Sequence, residues 1–130
     1  MSPLIDDLKQ SIRSILRDGF EPVPPARETS RLVHLEVWRT AQGRTRTVGL
    51  EMDHADHVNL WVTTMNVPTD LSETIGRTPK LWAGDRWTDE NKKGANSNLK
   101  SYDEFRGKNI TCLGVTALDD ARIILEHLTR

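Results

Sequence analysis

The sequence is poor in cysteine, and this shortage excludes two kinds of structure. One cysteine, Cys112, occurs among 130 residues. A single thiol cannot form an intrachain disulfide, and it cannot supply the ligands of a cysteine-based zinc cluster. Because Cys112 lies in an apolar run, we expect it to be a small buried hydrophobic residue and not a nucleophile.

Long hydrophobic runs and an excess of one sign of charge are also missing. No apolar stretch approaches the ~20 residues that a membrane-spanning helix needs. The first residues (MSPLIDD) have neither the basic start nor the apolar middle of a secretory signal. The 18 basic and 19 acidic residues leave a formal net charge of −1, so the chain as a whole has no attraction for nucleic acid or anionic membranes. These observations predict a cytoplasmic protein without a membrane partner.

The length and composition are typical of one globular domain covering residues 1–130. Hydrophobic residues make up 36% and charged residues 28% of the chain, and no internal repeat is present. Three prolines predict that residues 20–30 form an extended connector. The polar residues 88–98 (TDENKKGANSN) predict an exposed loop.

Apolar residues at helical spacing predict a helix at each end of the chain. The first helix should end at Gly19, since glycine is a common C-terminal stop. The last helix should be capped by Thr116 and preceded by a strand over residues 110–115. The apolar positions of the first helix are Ile5, Leu8, Ile12, Ile15 and Leu16.

Three alternating runs between residues 31 and 65 predict an antiparallel meander. A first turn centred between Gln42 and Gly43 would place Val37 opposite Val48. A second turn centred on Ala55 would place Val48 opposite Val62, so that apolar rows continue across all three strands. The predicted fold is α+β with two layers: an N-terminal helix, the meander, an irregular middle segment, and a C-terminal strand and helix.

The same register predicts a polar face that carries Trp38, Trp61 and Asn59. Tryptophan is unusually frequent, with four residues beside two phenylalanines and one tyrosine. Two interpretations remain open. Either the irregular middle segment covers this face and forms a second core, or the exposed rings stack on a base, a sugar or a partner's side chain.

Basic side chains cluster at two places near this face. Three arginines surround the first turn, and lysines with asparagines occupy the polar loop, where they can contact phosphates. Our leading hypothesis is therefore a non-catalytic binding module without a cofactor, which recognises nucleic acid or a partner protein. The basic and polar candidates beside the two tryptophans are Arg39, Arg44, Arg46, Lys92, Lys93, Asn96, Asn98 and Lys100.

Two alternatives stay open. Histidine and carboxylate side chains on the same face predict a divalent metal site for a hydrolase or nuclease; the candidate ligands are His34, Glu51, Asp53 and His57. The element order is similar to that of metal-dependent nuclease cores, but Asn59-Leu60-Trp61 supplies no lysine and no second acid, which counts against an active nuclease of that type. The other alternative is a structural or inhibitory subunit, which would pair with a partner or with a second copy of the chain.

Overall fold

The computed structural model describes residues 3–24, 35–51, 54, 56–69, 71, 73, 75–95 and 97–130. Within these residues, two α-helices and seven β-strands form an α+β structure, which confirms the predicted fold class. Short 3₁₀ helices cover Thr64–Asn66 and Ser97–Ser101. The helices and strands are α1 (Pro3–Gly19), β1 (Phe20–Pro22), β2 (Leu35–Thr40), β3 (Thr47–Glu51), β4 (Val58–Thr63), β5 (Gly76–Trp82), β6 (Trp87–Thr88), β7 (Ile110–Val115) and α2 (Leu118–Leu128).

The strands form one antiparallel sheet in the order β1-β2-β3-β4-β7-β5-β6. Strands β2 to β4 are the predicted meander, and the predicted C-terminal strand β7 is inserted between β4 and β5. Both faces of the centre of the sheet are covered, because all five residues of β3 are buried. The sheet therefore separates two hydrophobic cores.

The predicted register is confirmed for the second hairpin and wrong by one residue for the first. Val48 lies opposite Val62, as expected. However, Val48 faces Trp38 and not Val37. The first turn is centred on Gly43 because this glycine adopts a left-handed φ of 75°. The hydroxyl of Thr40 closes the longer loop by accepting a hydrogen bond from the Arg46 amide at 3.1 Å. A shift of one residue exchanges the two faces of β2.

The first core lies between the sheet and the two helices. Its helical residues include Ile12 and Leu16 of α1 and Ile124 and Leu125 of α2, all buried. Helix α1 ends at Gly19, as predicted. Helix α2 begins after Ala117, which makes no side-chain capping hydrogen bond, so the prediction of Thr116 as the cap is wrong.

The second core lies on the opposite face, where described residues of the 82–95 and 99–105 segments cover the sheet. Trp61 is only 5% exposed and packs with Trp87, Tyr102 and Phe105. Leu99 at the 3₁₀ helix completes this layer. The structure thus agrees with the interpretation in which the irregular segment forms a second core.

The segments predicted to be irregular contain more strand than expected. The connector over residues 20–30 begins as edge strand β1, and its residues 25–30 lie outside the described part of the chain. Within the predicted loop over residues 88–98, Thr88 ends β6 and residues 97–98 begin a 3₁₀ helix. Strand β5 begins at Gly76, within the middle segment that we expected to be irregular.

Candidate binding sites

The two predicted tryptophans do not share a surface. Trp38 packs against the helix-side core, whereas Trp61 is buried in the second core. The expectation that both lie on one polar face is wrong because β2 is shifted by one residue relative to β3. Neither ring is therefore placed to stack jointly on a ligand.

Two of the predicted arginines are engaged within the fold. Arg39 donates to the carboxylate of Glu21 at 2.7 Å in an exposed ion pair. Arg46 donates from Nη1 to the carbonyl oxygen of His127 at 2.9 Å, where its charge complements the C-terminal end of α2. Arg44 and Arg46 also line an open cavity of about 390 Å³ with Lys108.

A second set of predicted residues lies together in a cavity that we call the basic pocket. It is enclosed by the β5–β6 hairpin and the following loop, and its volume is about 590 Å³. Lys92 and Lys100 were predicted as contacts, whereas Arg86 was not among the predicted residues. Lys93 does not line this pocket, and the side chains of Asn96 and Asn98 lie outside the described residues. The pocket is lined by Ala83, Asp85, Arg86, Trp87, Thr88, Lys92, Gly94, Ala95 and Lys100.

A buried ion pair holds the loop that carries Lys92. Lys80, whose side chain is 7% exposed, donates to Asp89 Oδ2 at 2.6 Å. Asp89 Oδ1 accepts hydrogen bonds from the backbone amides of Asn91 and Lys93 at 2.9 and 3.0 Å. The bond from Lys80 and the Lys93 amide lower the pKa of Asp89 from 3.8 to about 2. The loop is thus pre-organised around an ionised carboxylate.

Two contacts hold Trp87, the aromatic residue that lines the basic pocket. The indole Nε1 of Trp87 donates to the carbonyl oxygen of Lys108 at 2.7 Å. The partly exposed ring of Trp82 meets Trp87 edge to face, with 5.1 Å between ring centroids. These contacts leave Trp82 beside the pocket in a fixed orientation.

A polar group that we call the histidine cluster lies at the other end of the sheet, near the β3–β4 connection. Asn59 donates from Nδ2 to Glu51 Oε1 at 2.7 Å, and His54 Nε2 lies 3.3 Å from the same oxygen. His57 Nδ1 lies 2.6 Å from Asp56 Oδ1. The two imidazole rings stack with 4.4 Å between centroids. The hydrogen bond between His57 and Asp56 lowers the pKa of the Asp56 carboxyl.

The described part of this cluster does not assemble a metal site. Among described residues, no group of three or more histidine, cysteine, aspartate or glutamate side chains has the geometry to hold a metal ion. Glu51 and His57 are described, but His34 and Asp53 lie outside the described residues. Burial, followed by the charge of Glu51, raises the pKa of the nearby Cys112 to about 12, so this thiol stays protonated at neutral pH.

Comparisons with known proteins identify no relative of this chain. No protein-family model matches the sequence, and neither the curated proteins nor the solved structures contain a significant match. Within the described residues, no helix has the length and apolar character required to cross a membrane.

Proposed function

We propose that the protein is a non-catalytic binding module for single-stranded nucleic acid, with the basic pocket as its contact surface. The observation that carries this proposal is that Arg86, Lys92 and Lys100 line one open cavity. This assignment keeps the binding function expected from the sequence. It moves the contact surface from the meander to the β5–β6 hairpin and its loop.

The electrostatics of the pocket favour a phosphate backbone. Its lining contains three cationic side chains and one carboxylate, that of Asp85, although the whole chain has a net charge of −1. Since salt screens exposed charges beyond ~8 Å at physiological ionic strength, this local excess matters more than the net charge. The pair between Arg86 and Asp85 is exposed on both sides and 3.2 Å long, so it opposes phosphate binding only weakly.

Trp82 favours a single strand over a duplex. Its partly exposed ring contacts Trp87, which lines the pocket. Stacking of a base on an aromatic ring contributes roughly 1–3 kcal/mol and requires an unpaired base. We therefore expect sequence-tolerant binding, with phosphates in the pocket and a base on Trp82.

The test is fluorescence anisotropy of a labelled 20-nucleotide oligothymidylate over a range of KCl concentrations. If three phosphates are contacted, log Kobs should fall against log salt with a slope of about −2. The double variant Lys92→Ala/Lys100→Ala should bind about 10- to 30-fold more weakly, since each exposed ion pair contributes up to ~1 kcal/mol. A matched control is Lys9→Ala/Arg122→Ala, which removes the same charge from α1 and α2 on the opposite face.

The outcomes distinguish non-specific attraction by net charge from binding at the basic pocket. Equal weakening by the pocket variant and the control would mean that only net charge matters, and the proposal would be wrong. Binding of a duplex as tightly as the single strand would contradict the role of Trp82. Binding of an acidic polypeptide in place of nucleic acid would indicate a protein partner at this pocket.

The hydrolase or nuclease alternative remains a separate prediction. It requires a metal held by His34, Glu51, Asp53 and His57. Its test is differential scanning fluorimetry with ZnCl₂, MgCl₂ and a chelator. A stoichiometric metal and a lower Tm on chelation would support this alternative, and an unchanged Tm would remove it.

A further inference from the structure

A second cavity, which we call the glycine groove, lies beside the histidine cluster. Its volume is about 390 Å³. The groove lies where β5 begins, whereas the basic pocket lies where β5 ends, so the two sites are roughly 20 Å apart along the strand. The groove is lined by Asp56, His57, Asn59, Gly76, Thr78, Cys112, Gly114 and Thr116.

The groove exists because two paired strands lack side chains in the same row. Gly114 of β7 lies opposite Gly76 of β5 on one side and opposite Asn59 of β4 on the other. A Cβ atom at Gly114 would lie 3.8 Å from Asn59 Oδ1 and 3.9 Å from His57 Cδ2. Both side chains therefore border the space that a side chain at this position would fill.

The hydrogen bond made by Asn59 leaves its side-chain oxygen directed at this space. The carboxylate of Glu51 can only accept, so Asn59 turns its amide nitrogen toward Glu51, and its Oδ1 faces the groove. His57 Nδ1 lies 2.6 Å from Asp56 Oδ1, which anchors the ring beside the groove through that nitrogen. Stacking on His54 holds the plane of this ring.

Two carboxylates lie at or directly behind the lining of the groove. Asp56 contributes a carboxylate to the lining, and Glu51, whose side chain is 10% exposed, lies directly behind Asn59. None of the described residues that line the groove is a lysine or arginine. The hydroxyls of Thr78 and Thr116 can accept further hydrogen bonds.

We propose that the glycine groove binds the protonated ammonium group of a small alkylamine. The ammonium is held above Gly114 by a hydrogen bond to Asn59 Oδ1, with the charge of Asp56 as its counter-ion. A metal ion would need a third protein ligand, which the described residues do not provide. This site is independent of the basic pocket, because its charge and its position are different.

The test is a titration of ¹⁵N-labelled protein with 1,4-diaminobutane, followed by two-dimensional NMR. We expect saturable shifts of the Gly76 and Gly114 amides and of the Asn59 side-chain amide, with a Kd of about 1 mM, since an exposed site of a few hydrogen bonds is weak. Two matched ligands separate the contributions. Butanol has no charge and tetramethylammonium has no N–H donor, so both should bind at least about tenfold more weakly.

Two variants test the position of the ligand. Gly114→Ala places a methyl group in the groove at ordinary van der Waals distances, so the protein should fold and its affinity for the diamine should fall at least about tenfold. Gly19→Ala is the matched control, because its added methyl group meets nothing within 4 Å. Asp56→Asn removes the exposed counter-ion and should weaken binding about threefold without unfolding the protein.

The proposal is overturned by any of three results. The first is the absence of saturable shifts at the groove, and the second is tetramethylammonium or butanol binding as tightly as the diamine. The third is an unchanged affinity in Gly114→Ala protein that is folded by its NMR spectrum. Loss of nucleic-acid binding would leave this proposal unaffected, since none of these readouts involves the basic pocket.

Discussion

Phe105 provides the most direct test of the second core. Its side chain is fully buried in a segment without regular secondary structure, and it packs in the cluster that contains Trp61 and Trp87. Truncation of a buried phenylalanine to alanine costs about 3–5 kcal/mol through lost transfer free energy and the cavity that remains. Because a segment without helix or strand can partly collapse into the cavity, we expect the lower end of this range for Phe105→Ala, about 3 kcal/mol. That loss is a large share of the ~5–15 kcal/mol by which a typical domain is stable.

The assay is urea unfolding, followed separately by tryptophan fluorescence and by far-UV circular dichroism. Coincident transitions would show that the second core unfolds together with the helices. In a thermal scan, the same change should lower Tm by roughly 10 °C. Leu81→Ala is the control, since this side chain is 57% exposed and its removal should change stability by less than about 0.5 kcal/mol. A loss below about 1 kcal/mol for Phe105→Ala would refute the reasoning, because it would mean that residues 82–105 do not pack tightly on the sheet.

Three further predictions concern single side chains. Arg46→Leu should lower the free energy of unfolding by about 1–2 kcal/mol, because the carbonyl oxygen of His127 loses a charged donor. An unchanged urea midpoint would mean that this hydrogen bond does not stabilise the C-terminal end of α2. Cys112 is half-buried and has a pKa raised to about 12, so it should react with a thiol reagent at pH 8 more slowly in the native than in the unfolded protein, and equal rates would contradict the raised pKa. Asp89 has a lowered pKa, so it stabilises the fold above its ordinary pKa of 3.8, and this contribution is lost as the pH falls toward 2. Tryptophan fluorescence should report that acid transition, and Asp89→Asn should weaken it; an identical acid profile in the variant would exclude the Lys80–Asp89 pair as its cause.

The two candidate sites differ in how their residues come together. The basic pocket uses a hairpin and the loop next to it in sequence, so Lys92 and Lys100 are recognisable from composition. The glycine groove combines Asn59, Gly76 and Gly114, which are distant in sequence and meet only because β7 lies between β4 and β5. Sequence periodicity does not specify strand order, and the groove was therefore not predictable from the sequence.

Local patterns in the sequence were sufficient for the elements of the fold. The apolar spacing of Ile12 and Leu16 predicts α1, and the alternation from Val58 to Val62 predicts β4, because each pattern matches the period of one kind of backbone. The absence of cysteine pairs and of long apolar runs restricted the class of protein in the same way. These predictions concern residues that are close in the chain, where steric and hydrophobic preferences act directly.

Only the tertiary structure decided which faces and which sites these elements form. The turn centred on Gly43 shifted β2 by one residue and placed Trp38 and Trp61 on opposite faces of the sheet. The covering of Trp61 by Phe105 depends on a segment whose own sequence has no regular period. Both outcomes depend on the free energy of packing between distant residues, which outweighs local preference and is not encoded in any short stretch of the chain.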